Sequence, residues 1–423
     1  MLGFIIKGLL RDRHRSLLPI LVISLGVMLT TAMYGYMQGV FGDMIATSAK
    51  LESGHVKVMT AEYAEISKQL PNDFAIQGVS HLIQDLSKQF DLEWVPRTRF
   101  GGLLDIPDEK GETRSQGPVM GIGIDLLSSN SHEIDRFDLK KTLVAGNLPK
   151  KTGEMLISDG LSHSLHVAPG DTATIIGGTA NGGMAIYSFT VAGIFHYGIP
   201  ALDRNMVFAD LSDVQYALDM FDASGELLGF FKSGSYDPVL AEQVKSRFNQ
   251  LNAKDSEGHP LVLQLLTEQG GVGDYFAMAD LYIFILMGAM ILVMVIVLWN
   301  SALMSGLRRY GEIGVRLAIG ESKGDIIRWL IYESLVVGIV GSAIGTALGM
   351  SICYYLKVVG LDISSMVQGS TIMMSPILRA EVTPEGFFIG FIPGVLSIVI
   401  GTALAGFGVY KRSTASLFKE LEV

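Results

Sequence analysis

Charged residues are absent from four long stretches of the chain. Residues 16–42, 281–307, 334–356 and 386–410 contain no Asp, Glu, Lys or Arg. A bilayer core of about 30 Å is crossed by about 20 apolar helical residues, and each stretch exceeds that length. Only 17% of all residues are charged, whereas an average soluble domain carries about a quarter. The pattern therefore predicts four transmembrane helices rather than a large soluble core.

The first stretch follows four basic residues, Lys7, Arg11, Arg13 and Arg15. A secretory signal peptide also has basic residues before its apolar region. The apolar run of the first stretch is longer than the hydrophobic region of such a peptide, and no A-x-A cleavage site follows it. We therefore expect a retained membrane span.

Lys and Arg gather at one side of the predicted spans, which sets their orientation. Four precede the first span, five lie between residues 308 and 328, and three follow the fourth span, whereas residues 357–385 contain two. We expect both termini and the 308–328 loop in the cytoplasm. Residues 43–279 and 357–385 are then expected outside.

The long exterior segment is acidic. Residues 43–279 contain 18 Lys and Arg and 31 Asp and Glu, a net charge of −13, and the rest of the chain carries +3. Such a domain repels nucleic acid and anionic headgroups, so no nucleic-acid partner is expected. The single cysteine, Cys353, lies in the third stretch. The exterior domain must therefore fold by burial alone, without a disulfide.

Strand and helix patterns alternate within this exterior segment. Strands are predicted at 54–59, 119–126 and 261–265, and helices at 79–90 and 238–251. Short strands with Gly and Asp turns at 153–161, 171–176, 186–194 and 205–209 predict an inserted β-rich subdomain of about 140–220. The expected fold class is an α-helical membrane protein with four transmembrane helices plus a large mixed α/β extracytoplasmic domain. The expected segments are 1–42, 43–279 and 280–423.

Three local patterns could carry chemistry. Residues 320–324 fit G-x-S-x-G, but no His is nearby. Asp159, His163 and His166 have helical spacing and, with His196, could hold zinc, although a polar helix face explains them as well. The glycine-rich run 177–183 lacks the P-loop pattern, which these 423 residues do not contain, and a hairpin loop explains it better. We predict no catalytic, cofactor or metal site in this chain.

The loop between the second and third spans reads RRYGEIGVRLAIGESKGDIIR. Arg308, Glu312 and Arg316 form i,i+4 pairs that support a short helix, and Ile313 and Leu317 share an apolar stripe. A loop that only sets topology needs no such order. A helix at about 308–325 therefore indicates a docking element for a cytoplasmic partner.

Glycines recur every four residues in two of the predicted spans. They are Gly341, Gly345 and Gly349 in the third span, and Gly386, Gly390 and Gly394 in the fourth. Small residues at this spacing let helix backbones approach closely. A packed bundle is therefore expected.

The stretch RRYGEIGVRLAIG, followed by Ile326, Glu333 and the glycine-rich third span, resembles the FtsX/MacB-type permease signature of ABC transporters. The order of one span, a large exterior domain and three further spans matches as well. Segments 153–158, 167–171 and 189–194 look like the MacB-like periplasmic core domain. Residues 53–58 and Tyr63 lean towards the lipoprotein-releasing (Lol-type) permeases, and the chain departs from MacB-type efflux pumps in lacking a fused ATPase.

The resemblance implies a permease subunit of the bacterial inner membrane, with its large domain in the periplasm. It would pair with a second permease subunit, the same or homologous, and with two copies of an ABC ATPase that binds the ATP and magnesium. The complex would extract or release lipoprotein or lipid cargo on the outer face, with a periplasmic partner as an option. The alternatives are MacB-like drug or peptide efflux and an FtsX-like scaffold that controls a cell-wall hydrolase.

The resemblance also assigns residues to these roles. Coupling to the ATPase falls to Arg308, Arg309, Glu312, Gly314, Arg316, Leu317 and Gly320. A cargo cavity near the outer ends of the first two spans falls to Met33, Tyr36, Met37, Val40, Phe41, Phe276, Met278, Tyr282 and Ile285. Met and aromatic side chains suit adaptable apolar recognition, such as that of acyl chains. Ordinary packing against lipid or other helices would use the same residue types.

Overall fold

A computed structural model describes residues 13–252, 260–269, 272–307, 310–363 and 377–411. The chain divides into two compact units. The membrane unit comprises Met1–Gly42, Met278–Asp362 and Ile377–Val423, and the sheet unit comprises Asp43–Ala277 and Ile363–Pro376.

The described helices are, in chain order, α1 (Arg13–Ser48), α2 (Ala61–Glu65), α3 (Val79–Gln89), α4 (Glu133–Arg136), α5 (Leu139–Thr142), α6 (Asp159–Leu165), α7 (Pro200–Asp203), α8 (Leu211–Ala217), α9 (Pro238–Asn252), α10 (Val272–Leu307), α11 (Tyr310–Ala318), α12 (Lys323–Val359), α13 (Gly386–Ile389) and α14 (Phe391–Lys411). A π-helical turn, Ala49–Ser53, follows α1 directly.

The described strands are β1 (Val56–Thr60), β2 (Ile76–Gln77), β3 (Leu92–Pro107), β4 (Thr113–Ile124), β5 (Leu143–Gly146), β6 (Glu154–Ser158), β7 (Thr172–Gly178), β8 (Met184–Phe195), β9 (Met206–Asp210), β10 (Ala223–Ser224), β11 (Glu226–Phe231), β12 (Leu261–Leu265), β13 (Leu361–Asp362) and β14 (Ile377–Leu378).

Four of the described helices are long and apolar enough to cross a membrane. These candidate spans are Leu17–Ser53, Leu281–Ser301, Lys323–Val359 and Gly386–Gly406. The four predicted transmembrane helices are therefore confirmed. The first candidate span runs through the π-helical turn, well past the charge-free stretch that predicted it.

The third span lies against the first at its glycines. A Cβ atom on Gly345 would lie 2.5 Å from the backbone oxygen of Ser24, and Cβ atoms on Gly341 and Gly349 would also come within 3 Å of α1 atoms. Real Cβ atoms do not approach this closely, so larger residues would push the helices apart. The spacing of four places all three glycines on one side of α12.

The glycines of the last span make a similar contact. A Cβ on Gly390 would lie 2.9 Å from Oγ1 of Thr31 in α1, and one on Gly394 would lie 2.7 Å from Oγ of Ser342 in α12. A Cβ on Gly386 would come within 3 Å only of the flexible end of the Met350 side chain. Helix α1 therefore contacts both α12 and the segment around α14, as van der Waals packing at small residues allows.

One ten-stranded sheet organises the sheet unit. Its order is β12-β1-β11-β3-β4-β9-β6-β8-β5, and β7 pairs with β3 and β8. Most neighbours are antiparallel, while β4 pairs with β9 and β6 with β8 in parallel. This mixed α/β arrangement confirms the expected fold class.

The long strand β3 joins two lobes of this sheet. Its first half pairs with β11, and its second half pairs with β4 and β7. The strands expected as an inserted subdomain at 140–220 share hydrogen bonds and a hydrophobic core with this second half and with β4. That lobe therefore includes residues well before 140, because β4 supplies the partner strand that β9 needs.

We predict that Gly345→Ala destabilises the membrane unit, because its Cβ would overlap the Ser24 carbonyl. Overpacking of this kind costs about 1–3 kcal/mol, which thermal unfolding of the detergent-purified protein would report as a lower midpoint. Gly288→Ala is the matched control, since that Cβ position meets no other side chain or helix of the described residues within 4 Å. Equal midpoints for the two variants would contradict this packing.

Candidate functional site

Helix α11 ends in a turn that fixes its direction towards α12. The N–H of Gly320 donates to the oxygen of Leu317, and the N–H of Glu321 donates to the oxygen of Arg316, both at 3.1 Å. Gly320 takes a φ of +99°. This is the Schellman arrangement, in which glycine avoids the steric cost of the left-handed backbone.

The G-x-S-x-G pattern at 320–324 is explained by this turn and by the start of α12. Ser322 Oγ accepts the N–H of Asp325 at 3.1 Å and donates to its carboxylate at 2.6 Å. Ser322 is thus the N-cap of α12. A nucleophile of the hydrolase type would follow a strand, whereas this serine follows α11.

One face of α11 packs against the first turns of α12. Ile313 and Leu317 contact a cluster that contains Ile326 and Leu330 of α12, and Ile313 is almost fully buried. The guanidinium of Arg316 lies 4.3 Å from the ring centre of Trp329, a cation–π distance. Displacement of α11 would therefore displace the beginning of the third span.

The opposite face of α11 is also apolar, and it is exposed. Val315 is 47% exposed and Ile319 is 81% exposed. These residues are offset by two positions from Ile313 and Leu317, which is about 200° around the helix axis. Sequence reasoning missed this pair because it took one apolar stripe as sufficient. The signal was present, since a helix that is apolar on two faces needs two partners.

The structure describes only some of the predicted coupling residues. Arg308 and Arg309 lie outside the described residues. Glu312 belongs to α11, and Gly314 is buried. Arg316, Leu317 and Gly320 hold α11 against α12 in the ways given above, so they shape the exposed face rather than form it. Their role in ATPase coupling remains a prediction.

The predicted cargo residues of the first span share one face of α1. Gly35 and Gly39 lie on the other face, where Cβ atoms would meet Cys353 and the backbone of residues 379–381 at under 3 Å. At about 100° per residue, the cargo candidates point away from those glycines. All are partly buried: Met33, Tyr36, Met37, Val40 and Phe41.

The cargo candidates of the second span lie in the N-terminal part of α10. Met278, Tyr282 and Ile285 are each more than half exposed. Phe276 lies on the same helix. The cargo-binding role of these residues remains a prediction. These side chains form apolar surface on α10 that the other described residues do not cover.

Three of the four possible zinc ligands lie close together, as carboxylate–imidazole contacts. His163 contacts Asp159 at 3.2 Å, and His196 lies 3.8 Å from Asp159 and 3.5 Å from Asp203. His166 is the C-cap residue of α6 and has a left-handed backbone conformation, so the helical spacing assumed for it does not hold. The described residues contain no group of three or more His, Cys, Asp or Glu side chains arranged to hold a metal ion.

The glycine-rich run 177–183 forms the predicted hairpin loop between β7 and β8. Beside it, the sheet presents an apolar face. Leu103, Ile176 and Ile186 are opposite one another on three adjacent strands, and Leu103 and Ile186 are exposed. Met184, two residues before Ile186, points to the same face and is also exposed. Contiguous exposed apolar surface of this kind marks interaction sites.

Comparison with known proteins identifies two family matches. Residues 16–249 match the MacB-like periplasmic core domain. Residues 284–414 match the FtsX-like permease C-terminal domain. Together, these matches cover most of the chain, including α11, three of the candidate spans and most of the fourth, Leu281–Ser301.

Individual relatives cover shorter parts. The chain is 32% identical over 94 residues to the macrolide export ATP-binding/permease protein MacB of Psychrobacter cryohalolentis, which is 22% of this chain and 14% of that protein. It is 26% identical over 174 residues to MacB 2 of Yersinia pestis bv. Antiqua, 38% of this chain and 24% of that protein. The chain thus spans less than a quarter of either relative. The crystal structure of the periplasmic region of MacB from Actinobacillus actinomycetemcomitans aligns with 55% of this chain and 97% of its own, with a TM-score of 0.35 and 13% identity.

Proposed function

This chain belongs to the FtsX/MacB-type family of ABC transporter permeases, and on that basis we propose that it couples a separate cytoplasmic ATPase to the release of lipid-linked cargo. Its permease domains are transmembrane components without an ATPase of their own. The ATPase, a second permease subunit and a lipoprotein or lipid cargo are the proposed partners. Cytoplasmic termini and a periplasmic sheet unit are the proposed orientation, supported by the distribution of Lys and Arg.

The exposed face of α11 is the observation that carries the coupling proposal. Val315 and Ile319 are apolar and exposed at the end of a short helix whose other face is buried. This helix lies on the side of the membrane that the basic residues assign to the cytoplasm. An apolar helix face that the described chain does not cover suits a groove in a partner protein. We assign that groove to the ATPase.

A physical route leads from this face into the membrane. The contact of α11 with Ile326 and Leu330 passes displacement to α12. Helix α12 in turn touches α1 through the close approach at Gly345. Packed interiors resist compression, so rigid movement of these helices is favoured over local deformation. The first span would then carry the movement towards the outer side.

The cargo candidates on one face of α1 and the exposed cargo candidates of α10 would together form the apolar surface that binds cargo. Met and aromatic side chains fill irregular apolar shapes, which suits acyl chains of variable packing. The exposed apolar face around Leu103 and Ile186 would serve a periplasmic partner that receives the cargo. Drug or peptide efflux is the second candidate function, favoured by the macrolide export names of the two relatives.

We predict that Ile319→Asp weakens ATPase binding without unfolding the chain, because this side chain is exposed. Loss of one buried isoleucine from the interface corresponds to about 1.5–3 kcal/mol, so affinity should fall at least about tenfold. Binding to the ABC ATPase that co-purifies with the wild-type chain would be measured in detergent. Ile186→Asp, at an isoleucine exposed in the sheet unit, is the control and should bind normally. Unchanged affinity of Ile319→Asp would refute this docking face.

A photo-crosslinking residue at Tyr282 should capture cargo in native membranes. Tyr282 is 60% exposed on α10 and belongs to the predicted cargo set, whereas Tyr354 on α12 is 65% exposed and does not. Mass spectrometry of the adducts should find triacylated lipoprotein or a specific lipid at Tyr282 and bulk lipid at Tyr354. Identical adducts at the two positions would contradict the cargo assignment, and drug or peptide adducts at Tyr282 would favour efflux.

A further inference from the structure

A π-helical turn of the sheet unit follows α1 in the chain. The turn Ala49–Ser53 follows α1 without a break. The side chains of Ala49, Leu51 and Ser53 are buried, and Leu51 belongs to a hydrophobic core cluster of the sheet unit that includes Phe137. The last carbonyl groups of a helix lack intrahelical partners. Here two arginines of β3 bind the carbonyl groups of Lys50, Leu51 and Glu52, and Gln269 binds that of Ser53.

Arg97 binds two of these carbonyl groups. Its Nη1 donates to the oxygen of Leu51 at 3.0 Å, and its Nη2 donates to the oxygen of Lys50 at 2.9 Å. Its remaining donors meet Glu133, with Nε 2.7 Å from Oε2 and Nη2 3.2 Å from Oε1. The ring of Phe137 lies 4.5 Å from the guanidinium carbon. Arg97 is therefore fully enclosed, with 0% exposure.

Arg99 binds the next carbonyl group. Its Nη2 donates to the oxygen of Glu52 at 2.8 Å. Its Nε lies 3.3 Å from a carboxylate oxygen of Glu226, whose other oxygen accepts from Lys57 at 3.1 Å. Burial alone would raise the pKa of Glu226, but Lys57 and Arg99 together hold that pKa below its ordinary value. The buried carboxylate thus stays charged and anchors Arg99.

Burying these charged side chains costs free energy, which suggests that their geometry serves a purpose other than stability. Removing several charges from water carries a desolvation penalty that ion pairing often fails to recover, and apolar packing could replace it. Guanidinium groups give several donors in a rigid plane, and a positive charge suits the negative end of a helix. Three carbonyl groups of one turn are thereby tied to one strand by charge-assisted hydrogen bonds, which are about twice as strong as neutral ones.

We propose that Arg97 and Arg99 form a joint that delivers movement of the first span to the sheet. The joint consists of these two arginines, the carbonyl groups of Lys50, Leu51 and Glu52, and the two carboxylates that orient the arginines. Because β3 belongs to both lobes of the sheet, a movement imposed at residues 97–99 reaches both. This inference rests on the proposed function, in which an ATPase moves the spans.

The test measures ATP-dependent hydrogen exchange in the full complex with its ATPase. The variant is Arg99→Lys, which keeps the positive charge beside Glu226 but cannot hold a carboxylate and a carbonyl with one planar group. The control is Arg114→Lys. Arg114 also donates to a backbone oxygen, that of His166 at 2.9 Å, and lies 3.4 Å from a carboxylate, that of Asp171. A second variant, Lys50→Gly, loosens the turn through an exposed position without altering the buried charges.

If the joint transmits movement, a variant that breaks it should still hydrolyse ATP but should no longer move the sheet. In the wild-type complex, ATP should change the exchange of amides in β3 and β4. In Arg99→Lys, hydrolysis should continue near the wild-type rate while this change falls about tenfold, the factor expected for loss of one charge-assisted hydrogen bond. Lys50→Gly should also diminish the change, and Arg114→Lys should preserve it.

Two results would overturn the joint in different ways. A full ATP-dependent change in folded Arg99→Lys and Lys50→Gly would show that movement does not pass through the arginines, while the proposed function would stand. A wild-type complex that hydrolyses ATP without any change in β3 and β4 would remove the proposed function and the joint together. Exchange protection of β7 and β8 in the same data establishes that each variant is folded.

Discussion

Close contact between helix backbones at glycine is the constraint on which the membrane unit depends. Apolar side chains gain little by associating with one another in lipid, so packing at small residues decides which helices touch. Gly341, Gly345 and Gly349 bring α12 against α1, and Gly390 brings the last span to the same helix. With no Cβ atoms between them, these helices have little room to shift independently. Force applied to α12 is therefore best relieved by moving α1 as well.

The sheet unit is held together by different physics. A continuous ten-stranded sheet and three large hydrophobic clusters supply its stability. Its interior also contains charged side chains, among them Arg97, Glu133 and Glu226. Buried ions are weak evidence for stability. Under our proposal, these charged groups connect the turn after α1 to β3. Under the proposed function, the membrane unit would transmit movement through its packed helices, and the sheet unit would receive it on β3.

The periodic features of the structure could be predicted from the sequence. Charge-free stretches gave the four spans, the four-residue glycine repeats gave the close helix contacts, and alternating segments gave strands such as β1 and β12. The long strand β3 was missed because Pro96, Gly101 and Gly102 interrupt its alternation. Paired strands on both sides overcome those weak positions, which is a tertiary effect that local propensity does not contain.

Contacts between distant residues account for the other omissions. Lys57 and Glu226 are 169 positions apart, and Arg97 and Glu133 are 36 apart, so no spacing in the sequence connects them. The outward face of α11 was overlooked for a different reason. Its residues Val315 and Ile319 were visible in the sequence, but only the solved packing of Ile313 and Leu317 shows which apolar face remains uncovered.

Mass spectrometry of the complex, purified gently from its native membrane, tests the central claim most directly. The account predicts that an ABC ATPase and a triacylated lipoprotein or a specific lipid accompany the chain, and that the ATPase is active in this complex. A chain that purifies without any ATPase would contradict the proposed coupling. An active ATPase accompanied by an adaptor or a cell-wall hydrolase, with no lipid-linked cargo, would contradict the proposed substrate.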